Sequence, residues 1–171
     1  MVFYLSILQH NKWRISALNA LTVWLANDID RVEPVLTLPN NCEILIKCFV
    51  ECLAVKEAKQ RQETKDEVRS FDQICEALLR LSIKSSRLSV ILGRDKIFVN
   101  VLVNRLNSQC DSTLARICLL KMLGQVVTTE AFLGEGIFGV LRALAVDESQ
   151  VLISTISKNI LKRVASTLVM Y

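Results

Sequence analysis

Residues 13–25 read Trp13-Arg14-Ile15-Ser16-Ala17-Leu18-Asn19-Ala20-Leu21-Thr22-Val23-Trp24-Leu25, a helical pattern with apolar side chains on more than one side. The pattern returns at residues 71–81, 113–127 and 151–168. Each copy follows a shorter apolar segment that also has helical spacing, at residues 3–8, 44–53, 97–106 and 138–144. The chain is therefore predicted to consist of about four pairs of helices.

The spacing of the pairs indicates a repeat architecture. Leu78, Leu119 and Leu161 occupy equivalent places and lie 41 and 42 residues apart. Armadillo and HEAT repeats have periods of about 40–47 residues. We therefore predict an all-α, armadillo/HEAT-like α-solenoid that forms a single domain over residues 1–171. Because the first and last segments are as apolar as the inner ones, we expect the chain to be a fragment of a longer polypeptide or to cover its ends by self-association.

One segment interrupts the regular spacing. Residues 56–69 mix acidic and basic side chains and contain almost no apolar residue. They account for the long step of 57 residues between Leu21 and Leu78. We interpret this segment as a charged insertion, either a solvated helix extension or loop, or a partner-binding or regulatory loop.

Composition and motifs argue against an enzyme, and we predict no cofactor, no metal site and no catalytic residue in this chain. The only histidine, His10, lies in a polar loop, so a catalytic triad would depend on one exposed position. Gly134, Gly136 and Gly139 match the spacing of a kinase glycine-rich loop, but the flanking sequence reads as helix. The six cysteines lack paired metal-ligand spacing and fall mostly in apolar pattern, as in a reducing compartment.

A protein-binding role is predicted from the long helices. If they line the inner surface of the array, their solvent-side residues form a mainly basic ladder that prefers an acidic protein or peptide. The predicted set is Asn19, Arg80, Lys84, Arg116, Lys121 and Lys158. The last helix has more apolar residues than one packing face requires, so a homodimer through Ile160, Val164 and Leu168 is predicted as well.

Several short motifs carry a family resemblance. In order, they are Trp13-x-x-x-Ala17-Leu18-Asn19-Ala20-Leu21-x-x-Trp24-Leu25, Arg31-Val32-Glu33, Lys84-Ser85-Ser86-Arg87 and Ala115-Arg116-x-x-Leu119-Leu120-Lys121. Together they resemble the non-catalytic armadillo-like region of STE-type protein kinases, namely the septation-initiation and mitotic-exit network kinases of fungi and the plant epsilon-class MAP kinase kinase kinases. The similarity covers roughly residues 3–127, and the charged insertion departs from the plant pattern.

The resemblance implies a catalytic serine/threonine kinase domain elsewhere in the parent polypeptide. This region would then serve scaffold docking, localisation or self-association in mitotic exit, septation and cytokinesis. Partners would be a scaffold protein or a component of a small-GTPase pathway, and the location would be cytoplasmic, at the spindle pole body or centrosome.

Two other classes of protein are alternatives to the non-catalytic region of a kinase. A free-standing armadillo-type adaptor unrelated to kinases remains an alternative. A nucleic-acid-binding repeat is disfavoured because the aromatic residues fall in apolar pattern instead of along a basic face. No segment is apolar for long enough to span a membrane.

Overall fold

The computed structural model describes residues 2–54, 65–108, 112–130, 135–147 and 149–168. In these residues the protein is all-helical and contains no strand. The helices are α1 (Val2–Ile7), α2 (Arg14–Asn27), α3 (Ile29–Leu36), α4 (Pro39–Leu53), α5 (Lys65–Lys84), α6 (Ser86–Arg94), α7 (Lys96–Asn107), α8 (Thr113–Glu130), α9 (Glu135–Val146) and α10 (Val151–Leu168).

The eight helices predicted from apolar spacing are all present, and the prediction of an all-α chain is confirmed. Two short helices, α3 and α6, precede α4 and α7 and connect successive pairs. Only part of the charged insertion is described. Residues 65–69 form the mostly exposed first turns of α5, and the other residues of the insertion lie outside the described part of the chain. Among the described helices, none combines the length and the apolarity that a bilayer crossing needs.

Contacts between helices follow two series. The long helices pack in the order α2, α5, α8 and α10. The helices that precede them pack in the order α1, α4, α7 and α9. The short helix α3 contacts α2 and α4, while α6 contacts α5, α7 and α8. Helices therefore contact their counterparts in the neighbouring pairs, while α9 and α10, α7 and α8, and α1 and α2 also pack against each other within their pairs.

The core between the two series is built mostly from leucine. Leu21 and Leu78 are fully buried on α2 and α5, and Leu45 and Leu102 are fully buried on α4 and α7. Aromatic pairs add to this packing: the rings of Phe49 and Phe98 meet edge to face with centroids 5.8 Å apart. Such pairs contribute about 0.5–1.5 kcal/mol beyond the area that they bury.

Side chains cap several helix starts. The sequence predicts Asp111 or Ser112 as the cap of the helix that begins at Thr113. The Ser112 hydroxyl accepts a hydrogen bond from the Ala115 N–H at the start of α8, which confirms Ser112 as a cap, whereas Asp111 lies outside the described residues. The carboxylate of Asp95 accepts from the Phe98 N–H at the start of α7, at 2.7 Å.

The sequence predicts a helix start at residues 39–41 with an asparagine cap before Ile44, and it predicts Pro34 in the first turn of a short connecting helix. The helix start is confirmed, but the asparagine cap and the position of Pro34 are wrong. The asparagines before Ile44 do not cap α4, because that helix already begins at Pro39, and Asn41 donates instead to the Val35 carbonyl. Pro34 is the sixth residue of α3 and does not lie in its first turn. Its ring removes the hydrogen bond that would run to the Asp30 carbonyl, and α3 ends two residues later.

The sequence predicts that the helix through residues 87–92 stops at Gly93, and α6 ends one residue later, at Arg94. Gly93 has no positive φ, however, so it does not end the helix through the left-handed conformation common at C-terminal glycines. A Cβ atom at this position would stand 3.0 Å from the carbonyl oxygen of Val126 on α8. The glycine therefore permits a close approach of α6 to α8.

Gly93 and Gly139 have different surroundings, which predict opposite outcomes for glycine-to-alanine substitutions at the two positions. We expect Gly93→Ala to lower the free energy of unfolding by about 1–3 kcal/mol, the usual cost of overpacking, because backbone must move. Gly139 in α9 has open space around its Cα, so Gly139→Ala should raise stability by about 0.5–1 kcal/mol through helix propensity. Urea unfolding of both variants measures the difference. A stabilised Gly93→Ala would show that the close approach is not needed.

Candidate protein-binding surfaces

The six predicted polar residues are spread over the four long helices. Asn19 lies on α2, Arg80 and Lys84 on α5, Arg116 and Lys121 on α8, and Lys158 on α10. All are exposed except Arg116, which is half-buried. Because these helices pack in that order, the residues form a discontinuous series from one helix to the next.

The surface where α5 meets α8 is mixed in charge, not basic. Arg80 forms an ion pair with Glu76 one helical turn earlier, with Nη2 2.5 Å from the carboxylate oxygen. Burial raises the pKa of the neighbouring Cys118 thiol, and Glu76 adds to this rise while Lys121 and Arg80 oppose it. Arg80 and Lys121 therefore share one environment with acidic side chains, and the free positive charge is smaller than the sequence predicted.

Arg116 is half-buried, so its side chain is part of the packing of the fold. Its Nε is buried and has no hydrogen-bond partner among the described residues. A buried donor without a partner is costly, so a substitution here would alter packing as well as charge. Lys84, Lys121 and Lys158 are the exposed cations of the predicted set that form no ion pair within the described structure. These three lysines are the better probes of this surface, and we call them the lysine series.

The residues predicted for self-association are not exposed. Ile160 and Val164 are only 1% and 3% exposed, and the side chain of Leu168 lies outside the described part of the chain. Ile160 packs over Gly124 of α8 so closely that a Cβ on that glycine would stand 2.9 Å from Ile160 Cδ1. The expectation that Ile160 and Val164 form an exposed apolar strip is therefore wrong.

Exposed apolar side chains occur instead where α9 turns into α10. Val146, Val151 and Leu152 are 78%, 73% and 56% exposed. The Ser154 hydroxyl donates to the Ala145 carbonyl at 2.7 Å and ties the start of α10 to the end of α9. The three side chains thus flank one turn, and we call them the apolar knob.

An apolar groove of about 550 Å³ lies among α4, α6 and α7. Ile46 and Val50 of α4, Ile91 of α6 and Ile97 of α7 line it. Thr37, Pro39 and Cys42 also line it, together with the charged residues Glu43, Lys47 and Asp95. The volume lies within the ~300–1,000 Å³ typical of ligand pockets. The groove was not predictable from the sequence, since its residues come from three separate helices.

Two motif segments that carry the family resemblance meet in the structure. The carboxylate of Glu33 accepts a hydrogen bond from the Ser85 hydroxyl at 2.8 Å and another from the Arg87 N–H at 3.2 Å. The Ser85 hydroxyl in turn accepts from the Leu88 N–H and so caps α6. The contacts of Glu33 in the 31–33 motif with the 84–87 motif therefore join α3 to the start of α6.

A buried arginine links α1, α2 and α4. Arg14 donates to the Leu8 carbonyl at 2.8 Å and to the Glu51 carboxylate at 2.9 Å, and its Nη1 lies 3.7 Å from Cys52 Sγ. A hydrogen bond from Cys48 and the positive charge of Arg14 both lower the pKa of the Cys52 thiol, although burial opposes them. The pKa of Cys48 is raised, because it donates to Cys52 and is buried.

The histidine and two of the glycines of the candidate catalytic motifs lie in the turn before α2 and in α9. His10 is exposed in the turn between α1 and α2. Gly136 and Gly139 lie within α9, and Gly134 lies outside the described part of the chain. No group of three or more histidine, cysteine or acidic side chains is placed to hold a metal ion there.

Comparison of the chain with protein-family models, curated proteins and solved structures finds no significant match.

Proposed function

We propose that this chain is a protein-interaction module of armadillo/HEAT-like helical repeats without catalytic function of its own. The observation that carries the proposal is the succession of helix contacts, in which the long helices pack in the order α2, α5, α8 and α10 and the helices that precede them pack in the order α1, α4, α7 and α9. Repeat proteins built in this way present long surfaces to partners. The lysine series and the apolar groove lie on different helix series and offer two such surfaces.

We further propose that the module belongs to a cell-division serine/threonine kinase of the septation-initiation or mitotic-exit type. The resemblance motifs support this, because Glu33 and the 84–87 segment contribute to one connected structural feature. In this role the module would dock on a scaffold protein or a small-GTPase pathway component at the spindle pole body or centrosome. A kinase catalytic domain in the same reading frame distinguishes this proposal from a free-standing adaptor.

Charge reversal of the lysine series tests the docking role. We expect Lys84→Glu, Lys121→Glu and Lys158→Glu together to abolish enrichment of a fluorescently tagged chain at spindle pole bodies in dividing fungal cells, because like charges repel an acidic partner. Each lysine is exposed, so the thermal unfolding midpoint should change little.

The matched control reverses three exposed cations elsewhere, Lys12, Arg31 and Arg142, and should leave the enrichment intact. Equal loss in both triple variants would indicate a general effect of net charge. Undiminished enrichment after reversal of the lysine series would move the docking site to another surface.

A further inference from the structure

Two cysteines lie on successive turns at the end of α4. Cys48 and Cys52 are four residues apart, which places their side chains on one face of the helix. The Cys48 thiol donates a hydrogen bond to the Cys52 sulfur. Cys48 is 3% exposed, whereas Cys52 is only half-buried. The pair therefore combines a partly exposed sulfur with a buried thiol in hydrogen-bond contact.

Arg14 adds a positive charge to this pair. Its Nη1 lies 3.7 Å from Cys52 Sγ, and its Nη2 lies 2.9 Å from the Glu51 carboxylate. The Cys48 donor and the Arg14 guanidinium lower the pKa of the Cys52 thiol, while burial and the charge of Glu51 oppose them. The pKa of Cys48 is raised. Of the two sulfurs, Cys52 therefore holds the larger thiolate fraction, and the thiolate is the form that reacts with oxidants.

The other described cysteines differ from Cys52 in their surroundings. Cys42, Cys75 and Cys118 are buried, and burial raises the pKa of Cys42 and of Cys118. Cysteines that respond to oxidants have a low pKa, are accessible and often lie next to a second, resolving cysteine. Among the described cysteines, Cys52 fits this description best, and Cys48 is placed to resolve it.

We propose that Cys52 and Cys48 form an oxidation-sensitive pair whose oxidant is hydrogen peroxide. The Cys52 thiolate attacks one peroxide oxygen, the O–O bond breaks and hydroxide leaves, so Cys52 becomes a sulfenic acid. The Cys48 sulfur then attacks the Cys52 sulfur, the S–O bond breaks, and the oxygen leaves as water with the proton of Cys48. Two electrons pass from the sulfurs to the peroxide, and the product is a disulfide within α4. This inference does not depend on the proposed docking role.

Helix geometry permits this bond if the last turn of α4 moves. Residues four apart in a helix have Cα atoms about 6 Å apart, within the range of about 4.4–6.8 Å found in disulfides. Their Cβ atoms are about 5–6 Å apart, whereas a disulfide holds them at about 3.5–4.5 Å. Cys52 is the penultimate residue of α4, in the turn closed by the hydrogen bond from the Ala54 N–H to the Val50 carbonyl. Oxidation therefore shifts this turn and the contact of Cys52 with Arg14.

Peptide mapping of the reduced, folded chain after exposure to hydrogen peroxide tests the proposal. Trypsin releases both cysteines in one peptide, residues 48–56, and places Cys42, Cys75 and Cys118 in other peptides. We expect peptide 48–56 to lose two hydrogen atoms and both alkylation sites about tenfold faster than those three cysteines are oxidised, because Cys52 holds more thiolate. Dithiothreitol should restore both sites. Equal oxidation of all these cysteines overturns the proposal, as does an oxygen adduct on Cys52 without a disulfide.

Two serine substitutions separate the roles of the two sulfurs. Cys48→Ser keeps a hydrogen-bond donor but removes the resolving thiol, so a Cys52 sulfenic acid should accumulate and be trapped by dimedone. Cys52→Ser should leave Cys48 as slow to oxidise as Cys42. Rapid oxidation of Cys48 in that variant contradicts the proposal. Circular dichroism checks that both variants fold, and the mapping of the wild-type chain stands without them. Reversal of the lysine series should leave the oxidation rate unchanged, so failure of the docking role is distinguishable from failure of this inference.

Discussion

Leu21→Ala should lower the free energy of unfolding by about 2–5 kcal/mol, the range for a leucine removed from a packed core. Leu21 is fully buried on α2, and that helix packs against α5. Truncation removes apolar contacts and leaves a cavity that both helices must tolerate. Chemical unfolding monitored by circular dichroism measures the change.

Val23 provides a matched control two residues away. It lies on the same helix but is 56% exposed, so Val23→Ala should change stability by no more than about 0.5 kcal/mol. Similar effects from the two substitutions would contradict the orientation of α2 and the register of the first helix pair with it.

Arg14→Met should cost about 2–3 kcal/mol, because hydrogen bonds to charged groups contribute about 1.5–3 kcal/mol and the Leu8 carbonyl would lose its buried donor. Methionine preserves most of the apolar stem, which isolates the loss of the guanidinium. Urea unfolding gives the free energy, and the rate of Cys52 alkylation gives a second, local measurement.

The change in the rate of Cys52 alkylation that Arg14→Met causes has a definite direction. Arg14 helps to lower the pKa of the Cys52 thiol, so its removal raises that pKa and reduces the thiolate fraction at neutral pH. In the intact fold, Arg14→Met should therefore react more slowly with iodoacetamide at Cys52. As a control, Glu51→Gln keeps the donor to Leu8 and should cost much less stability. An unchanged free energy of unfolding for Arg14→Met would show that the buried contacts of Arg14 contribute nothing.

The helices were predictable because their apolar residues recur with helical spacing, and local spacing is a property of the sequence alone. The side of a helix that meets a neighbour is a tertiary property. Ile160 looked surplus to one packing face, yet it is buried because Gly124, 36 residues earlier, leaves a slot on α8. A glycine inside an apolar helix is a sequence signal of such a slot, and so is Gly93.

The candidate surfaces were predictable only in part. Exposure of Lys84, Lys121 and Lys158 follows from the cost of burying a charge. The pairing of Arg80 with Glu76 has the four-residue spacing that helix geometry favours, so it was open to prediction. The groove was not, because it exists only once α4, α6 and α7 are side by side.

The starts of α6 and α8 share a device with consequences for how the chain unfolds. Ser85 caps α6 and donates to Glu33, while Ser112 caps α8 and donates to Asp72, so each cap is completed by an acid from an earlier helix. Proteins whose helices meet mainly their neighbours tend to open one unit at a time. In this chain, fraying of α3 would remove the Glu33 acceptor from the cap of α6, and fraying of α5 would remove the Asp72 acceptor from the cap of α8. Native-state hydrogen exchange should therefore find α3 and the first turn of α6, and likewise α5 and the first turn of α8, opening as shared cooperative units.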